Sequence, residues 1–289
     1  YVTGRSRKKT LINGVVMDKK IIVVSVSGGK DSTASLIKAL SQHNNAIGVF
    51  CDTDWEHPDT YKYIEYLKDK LGVEIKTIKN KKYDGILDII RKKHIFPSSR
   101  LRFCSSNLKV VPMIEFLLEF TQANPDTIIE NWVGIRTDES VDRAKKYASV
   151  SADDTFLYSD FFKLSKKRIN ILKNVFLRYP VINLTANEVY KIIVGAKLDI
   201  NPLYHKGQSR VGCYPCVIGG MKSYQATWNT DIGKDRIRQL LALEQEINAM
   251  GYKTKLKPNM TASELIKKLE NNEQLDSDKD EFICGFCNI

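Results

Sequence analysis

No apolar run in this sequence reaches the length of a membrane span, and its first residues carry no apolar leader of the secretory kind. The expectation is a soluble, cytoplasmic chain. Internal repeats and low-complexity segments are also missing, so the architecture is not that of a repeat array. Acidic residues are short relative to basic ones: 34 Asp and Glu stand against 45 Lys and Arg, a formal net charge of +11. That excess favours a polyanionic partner, because neutralised phosphates release counterions, although a Lys-rich solvated surface gives the same total. The Gly-x-x-x-x-Gly-Lys-Ser/Thr spacing of a Walker loop is absent as well.

What the chain does have is Ile21-Ile-Val-Val-Ser25-Val-Ser27-Gly28-Gly29-Lys30-Asp31-Ser32-Thr33. The β-branched run over 21–26 suits a strand buried on both faces. Gly28 and Gly29 permit a tight turn and close approach of a ligand. Asp31, Ser32 and Thr33 start helices well, and the amide groups of such a start attract anions. Further strands are expected over 46–51, 73–78 and 127–135, with helices over 58–71, 83–93 and 110–120. Alternating strands and helices imply an α/β doubly wound parallel sheet, whose ligands sit beyond the carboxyl ends of the strands. Ser27–Ser32 and Asp52–Asp54 then share one rim. Residues 161–179 read as an insertion or hairpin, 180–185 as a short strand, and a helix should be capped at Thr185 with Glu188 closing the box. The chain divides into an extension over 1–16, a nucleotide-binding domain over 17–220 and a mostly helical C-terminal region over 221–289. Lys30, Arg136 and Arg143 supply charge for a triphosphate. Asp31 and Asp52 are candidates to position Mg²⁺.

The six cysteines stand at 51, 104, 213, 216, 284 and 287. In a cytosolic protein, paired C-x-x-C spacings point to metal or redox chemistry rather than a disulfide framework. Cys51 ends a buried strand and is not expected to be a ligand.

The Ser-Gly-Gly-x-Asp-Ser run resembles the PP-loop of ATP pyrophosphatases, in the branch that contains phosphoadenosine phosphosulfate reductase and its sulfur-transfer relatives. Four more stretches carry the same resemblance: Asp52-Thr53-Asp-Trp-Glu-His-Pro-Asp-Thr60, Cys104-Ser-Ser-Asn-Leu-Lys109-Val-Val-Pro112, Gly134-Ile-Arg136-Thr-Asp-Glu-Ser140-Val-Asp-Arg143-Ala, and Asn201-Pro-Leu-Tyr204…Gly212-Cys213-Tyr-Pro-Cys216. Asp54 replaces a usual glycine, and His57 a usual aromatic residue. The resemblance implies an adenine nucleotide alpha-hydrolase-like sheet and a nucleotide site built from Ser25, Ser27, Gly28, Gly29, Lys30, Asp31, Ser32, Asp52, Thr53, Gly134, Arg136 and Arg143. Lys30, Asp31 and Arg136 are its catalytic candidates.

Iron–sulfur members of that branch use a double cysteine where this chain has Cys104-Ser105. A [4Fe–4S] cluster held by Cys104, Cys213 and Cys216 would then need Cys284 or Cys287 as fourth ligand. Zinc on Cys213, Cys216, Cys284 and Cys287 is the rival, and free or redox thiols the third reading. Reductases carry their nucleophile in a C-terminal Glu-Cys-Gly-x-His segment. This chain has Ile283-Cys284-Gly285-Phe286-Cys287, without the Glu or the His. The resemblance therefore implies an ATP pyrophosphatase that adenylates nucleic acid for sulfur insertion, DNA favoured over RNA, as in DNA phosphorothioation (DndC-like or SspD-like). A cysteine desulfurase is the implied sulfur donor. Phosphosulfate reduction and transfer RNA thiolation are the alternatives.

Overall fold

The structure is a computed structural model that describes residues 10–12, 15–17 and 19–271. Strands β1 (Thr10–Ile12) and β2 (Val15–Met17) form a small antiparallel pair. The main sheet follows. It contains β3 (Lys19–Val26), β4 (Ala46–Cys51), β5 (Ile75–Ile78), β6 (Thr127–Val133), β7 (Thr155–Leu157) and β8 (Val175–Arg178) in the order β5-β4-β3-β6-β8-β7. All neighbours are parallel except β7 with β8. This is the doubly wound α/β sheet that the alternating pattern implies.

The helices in chain order are α1 (Lys30–Gln42), α2 (Pro58–Leu71), α3 (Ile86–Lys93), α4 (Phe103–Ser105), α5 (Val111–Ala123), α6 (Val141–Lys146), α7 (Lys166–Ile171), α8 (Ala186–Gly195), α9 (Met221–Trp228), α10 (Asp231–Ala249) and α11 (Ala262–Glu270). A π-helical turn, Ser106–Val110, joins α4 to α5. None of these helices is long and apolar enough to cross a membrane.

Strand β3 alternates its side chains between two cores. Ile22, Val24 and Val26 pack with α1, α2 and α8 on one face, and Val23 packs with α5 and Leu177 on the other. Each fully buried Ile or Val contributes about 1.5–3 kcal/mol relative to exposure. A third core joins α9, α10 and α11 to α3 and to Trp55, Phe103 and Leu108. The C-terminal helices are thus packed onto the rest of the chain through α3 and the segments that carry Trp55, Phe103 and Leu108.

Two sequence expectations are corrected. Residues 161–179 are neither an insertion nor a hairpin closed within themselves: they contain α7 and then β8, which joins the sheet beside β6 and pairs antiparallel with β7 outside that range. Residues 180–185 are not a strand. They fold as turns held by Ile182 N–H to Tyr179 O and Leu184 N–H to Val181 O, and the apolar Val181 and Ile182 fill the two sheet cores. The helix that follows has the expected box, with Thr185 and Glu188 capping each other.

The order of connections reverses beside β3. β4 lies on one side of it and β6 on the other, so a crevice opens beyond their carboxyl ends. Ser27–Ser32 leave β3 there, and Gly134–Arg136 leave β6.

Candidate nucleotide site and thiol pocket

Helix α1 begins at Lys30 with Gly29 at the N-cap, where no side chain is present to cap it. The Ser32 and Thr33 hydroxyls donate instead to Gly29 O at 2.9 and 3.0 Å, and the Ser32 Oγ also accepts the Ser27 amide at 3.1 Å. The Lys30 amide donates to the Tyr204 hydroxyl at 2.9 Å, a cap supplied from far along the chain. Gly28 has φ +74°, and a Cβ there would lie 3.0 Å from Thr60 Cγ2. The turn therefore needs glycine both for its backbone and for its contact with α2.

A shallow pocket lies over this turn, lined by Ser27, Gly29, Lys30, Asp31, Ser32, Glu139, Tyr204, Arg210 and Val211. Asp31 is buried, and Arg136 Nε donates to its Oδ1 at 2.5 Å. Lys30 Nζ stands 3.8 Å from its Oδ2, and Arg136 also reaches Asp138 at 2.8 Å. Burial holds the Lys30 ammonium below its usual range, Asp31 opposes that shift, and Arg136 and Arg210 add to it. Gly134 lies directly beneath: a Cβ there would come within 2.6–2.7 Å of the Asp31 carbonyl group and the Ser32 nitrogen.

Two other expected contributors are placed differently. Ser25 lies inside the sheet, its Oγ accepting from Asn131 Nδ2 at 3.1 Å. Arg143 is buried in an ion pair with Glu139, and it is Glu139 that lines the pocket.

The second rim segment, 52–56, follows β4. Asp52 accepts from Tyr61 at 2.7 Å and from the Asp54 amide at 2.8 Å, and Lys79 Nζ is 2.9 Å away. Burial resists ionisation of Asp52, but these partners together outweigh it and hold the carboxyl below the usual range. Asp54 has φ +56°, the left-handed conformation that a glycine adopts freely and that Asp tolerates at modest cost. Asp31 is paired with Arg136 and Lys30, and Asp52 with Lys79.

The structure brings Cys104, Cys213 and Cys216 to one pocket, with Thr53, Ser105 and Lys109. The 213–216 turn is pinned to the rim by the Tyr214 amide on Trp55 O at 2.7 Å and by Trp55 Nε1 on Pro215 O at 3.0 Å. Among the described residues, however, no group of three or more His, Cys, Asp or Glu side chains is disposed to hold a metal ion. Cys284 and Cys287 lie outside the described residues. The three sulfurs share a pocket without the geometry of a ligand set.

As it stands, the pocket holds thiols. Thr53 Oγ1 donates to Glu56 Oε1 at 2.7 Å, so its 3.4 Å contact with Cys213 Sγ takes the thiol proton. Burial pushes the Cys213 thiol up to about 12 from an ordinary 9.0. Its thiolate fraction at neutral pH is then about a thousandfold below that of an exposed cysteine. In anaerobic, metal-free protein, mapped iodoacetamide labelling should therefore reach Cys213 far more slowly in the folded state than in urea. Equal rates in both states would show that the thiol is neither buried nor protonated. Cys51, as expected, is a buried strand residue, bonded to Lys109 O at 3.5 Å.

Sequence reasoning missed Arg210 as a pocket-lining group, and it quoted Glu139, Lys109 and Tyr204 only within motifs. Arg210 stands three residues before Cys213 in a loop with no periodicity, so only its proximity to a quoted motif marked it.

A model of the phosphoadenosine phosphosulfate reductase domain matches residues 21–218. An uncharacterised 37.8 kDa protein of Escherichia phage 186 is 28% identical over 244 residues, covering 69% of this chain and 68% of that protein. An uncharacterised protein of Methanocaldococcus jannaschii is 30% identical over 199 residues, which cover 68% of this chain but only 36% of the other. The adenosine 5′-phosphosulfate reductase of Pseudomonas aeruginosa is 24% identical over 198 residues, covering 67% of this chain and 65% of the reductase.

Proposed function

The chain belongs to the phosphoadenosine phosphosulfate reductase domain family, and from that membership we propose that it is an ATP pyrophosphatase that adenylates a nucleic-acid substrate for sulfur insertion, DNA before RNA. The observation that carries this reading is the pocket over the Ser27–Ser32 turn, where Lys30 and the Asp31–Arg136 pair sit at the start of α1. An acceptor oxygen attacks the α-phosphorus of ATP. The α–β bond breaks, pyrophosphate leaves, and AMP is carried on the acceptor oxygen. A sulfur nucleophile then displaces that oxygen together with AMP. Lys30 offsets the charge that develops on the departing pyrophosphate, and Arg136, fixed by Asp31, orients the α-phosphate. The sulfur donor in this reading is a cysteine desulfurase.

The positive charge supports a polyanionic acceptor. Lys166, Lys167 and Arg168 are all exposed on α7. Replacing all three by alanine should weaken DNA binding and lower the slope of log K against log salt by about 2–3, roughly one per lost phosphate contact. Binding with an unchanged slope would remove α7 from the interface. No DNA or RNA affinity at low salt would remove the nucleic-acid acceptor altogether.

Phosphosulfate reduction is the second reading, favoured by the name of the Pseudomonas relative. Its reactive C-terminal segment is the one that lacks Glu and His here. Supplying ATP, adenosine phosphosulfate and phosphoadenosine phosphosulfate separately distinguishes the two. Consumption of ATP is expected. Sulfite release from a phosphosulfate without ATP turnover would install the reductase reading. Transfer RNA thiolation shares the ATP step and differs only in the acceptor that becomes labelled.

A further inference from the structure

We infer that Arg210 is an anion-binding residue of the phosphate pocket, set on a segment that crosses the loop and placed to hold the pyrophosphate end of the nucleotide. The inference rests on the nucleotide reading above and adds a residue that neither the loop nor the rim supplies.

Lys30 and Arg136 share Asp31, Arg136 has Asp138 besides, and Arg143 is matched by Glu139. Arg210 lines the same pocket and, among the described residues, has no carboxylate within ion-pair distance and no hydrogen bond to a protein group. Its charge is felt nonetheless, since it adds to the depression of the Lys30 ammonium. A half-buried guanidinium beside two other cations, with no counter-charge of its own, is stabilised by an anion in the pocket between them.

The segment that carries Arg210 is held in place. Asn201 Nδ2 donates to Gly28 O at 3.1 Å, and Tyr204 receives the Lys30 amide. Gln208 is buried, with its amide on Leu203 O at 3.1 Å and Nε2 3.5 Å from Thr227 Oγ1. Val211 O lies 3.6 Å from the position a Cβ on Gly29 would take. Beyond it, Cys213 bridges to Glu56. Arg210 is therefore carried by backbone fixed on both sides, which lowers the entropy lost when its side chain binds a ligand. The planar fork suits two oxygens of one phosphate, or one from each of two.

The test is a calorimetric titration of the full chain with inorganic pyrophosphate, comparing the wild type with Arg210→Ala, Arg210→Gln and Arg210→Lys. The first two should bind about 10- to 100-fold more weakly, the range for loss of a charge-assisted pair of hydrogen bonds. Arg210→Lys should recover part of that loss, because it keeps the charge and loses the fork. Thermal melting should be unchanged, since no intramolecular partner is lost, and Arg210→Gln serves if the alanine variant fails to fold. Wild-type affinity in the neutral variants would overturn the role of Arg210 and leave the loop as a phosphate site. Failure of the wild type itself to bind pyrophosphate would overturn the phosphate reading along with it.

Discussion

Gly134→Ala is expected to cost at least about a hundredfold in nucleotide turnover and about 1–3 kcal/mol of stability. The added methyl meets backbone: the Asp31 carbonyl carbon and oxygen and the Ser32 nitrogen, all within 2.6–2.7 Å. No rotamer relieves that contact. Either the end of β6 withdraws or the first turn of α1 shifts by an appreciable fraction of an ångström. In the first case Arg136, two residues on, is carried away from Asp31. In the second the phosphate pocket itself is deformed. Urea unfolding and steady-state turnover together check the prediction. A variant with wild-type turnover would show that β6 does not position the loop.

Asp31→Asn and Lys30→Ala should separate structure from chemistry at the same turn. Asp31 is the buried counter-charge of both Arg136 and Lys30. Its neutralisation leaves Arg136 with Asp138, which is about half exposed, and the Leu184 carbonyl. The expected cost is about 2–5 kcal/mol of stability, with turnover lost as well. Lys30 is different. It is a buried ammonium held below its ordinary range by burial, so its removal relieves a desolvation cost while breaking a 3.8 Å pair with Asp31 and a 5.2 Å contact with the Tyr204 ring. Lys30→Ala should melt close to the wild type and still lose about 10²–10³-fold in turnover, the scale of one preorganised charge at a developing anion. Equal stability losses in the two variants would contradict the assignment of Asp31 as the shared counter-charge.

The parts of this molecule that could be read from sequence are those whose cause is local. β4 and α2 occupy the expected residues because an apolar run ends at Cys51 and because Pro58 opens, and Gly72 closes, a helix. The α8 cap was legible for the same reason. The stretch from 155 to 185 was not. β8 is a strand because Val175 and Leu177 pair in register with Ile129 and Asn131, a non-local fact. Val181 and Ile182 are apolar because they are buried, yet their backbone bonds close within turns. The loop residues 27–32 were legible as a tight strand-to-helix turn, but the cap on Lys30 comes from Tyr204, 174 residues away. The convergence of Cys104 with Cys213 and Cys216 followed from the motif resemblance. No spacing in the chain would have placed Arg210 over the loop.

Which bond of ATP is broken decides whether the chain is a pyrophosphatase. The direct measurement uses γ-labelled ATP with Mg²⁺, the full chain and a DNA acceptor, followed by separation of the labelled products. Label is expected in pyrophosphate, with AMP as the nucleotide product or on the acceptor. Label in orthophosphate with ADP as the partner product would contradict it.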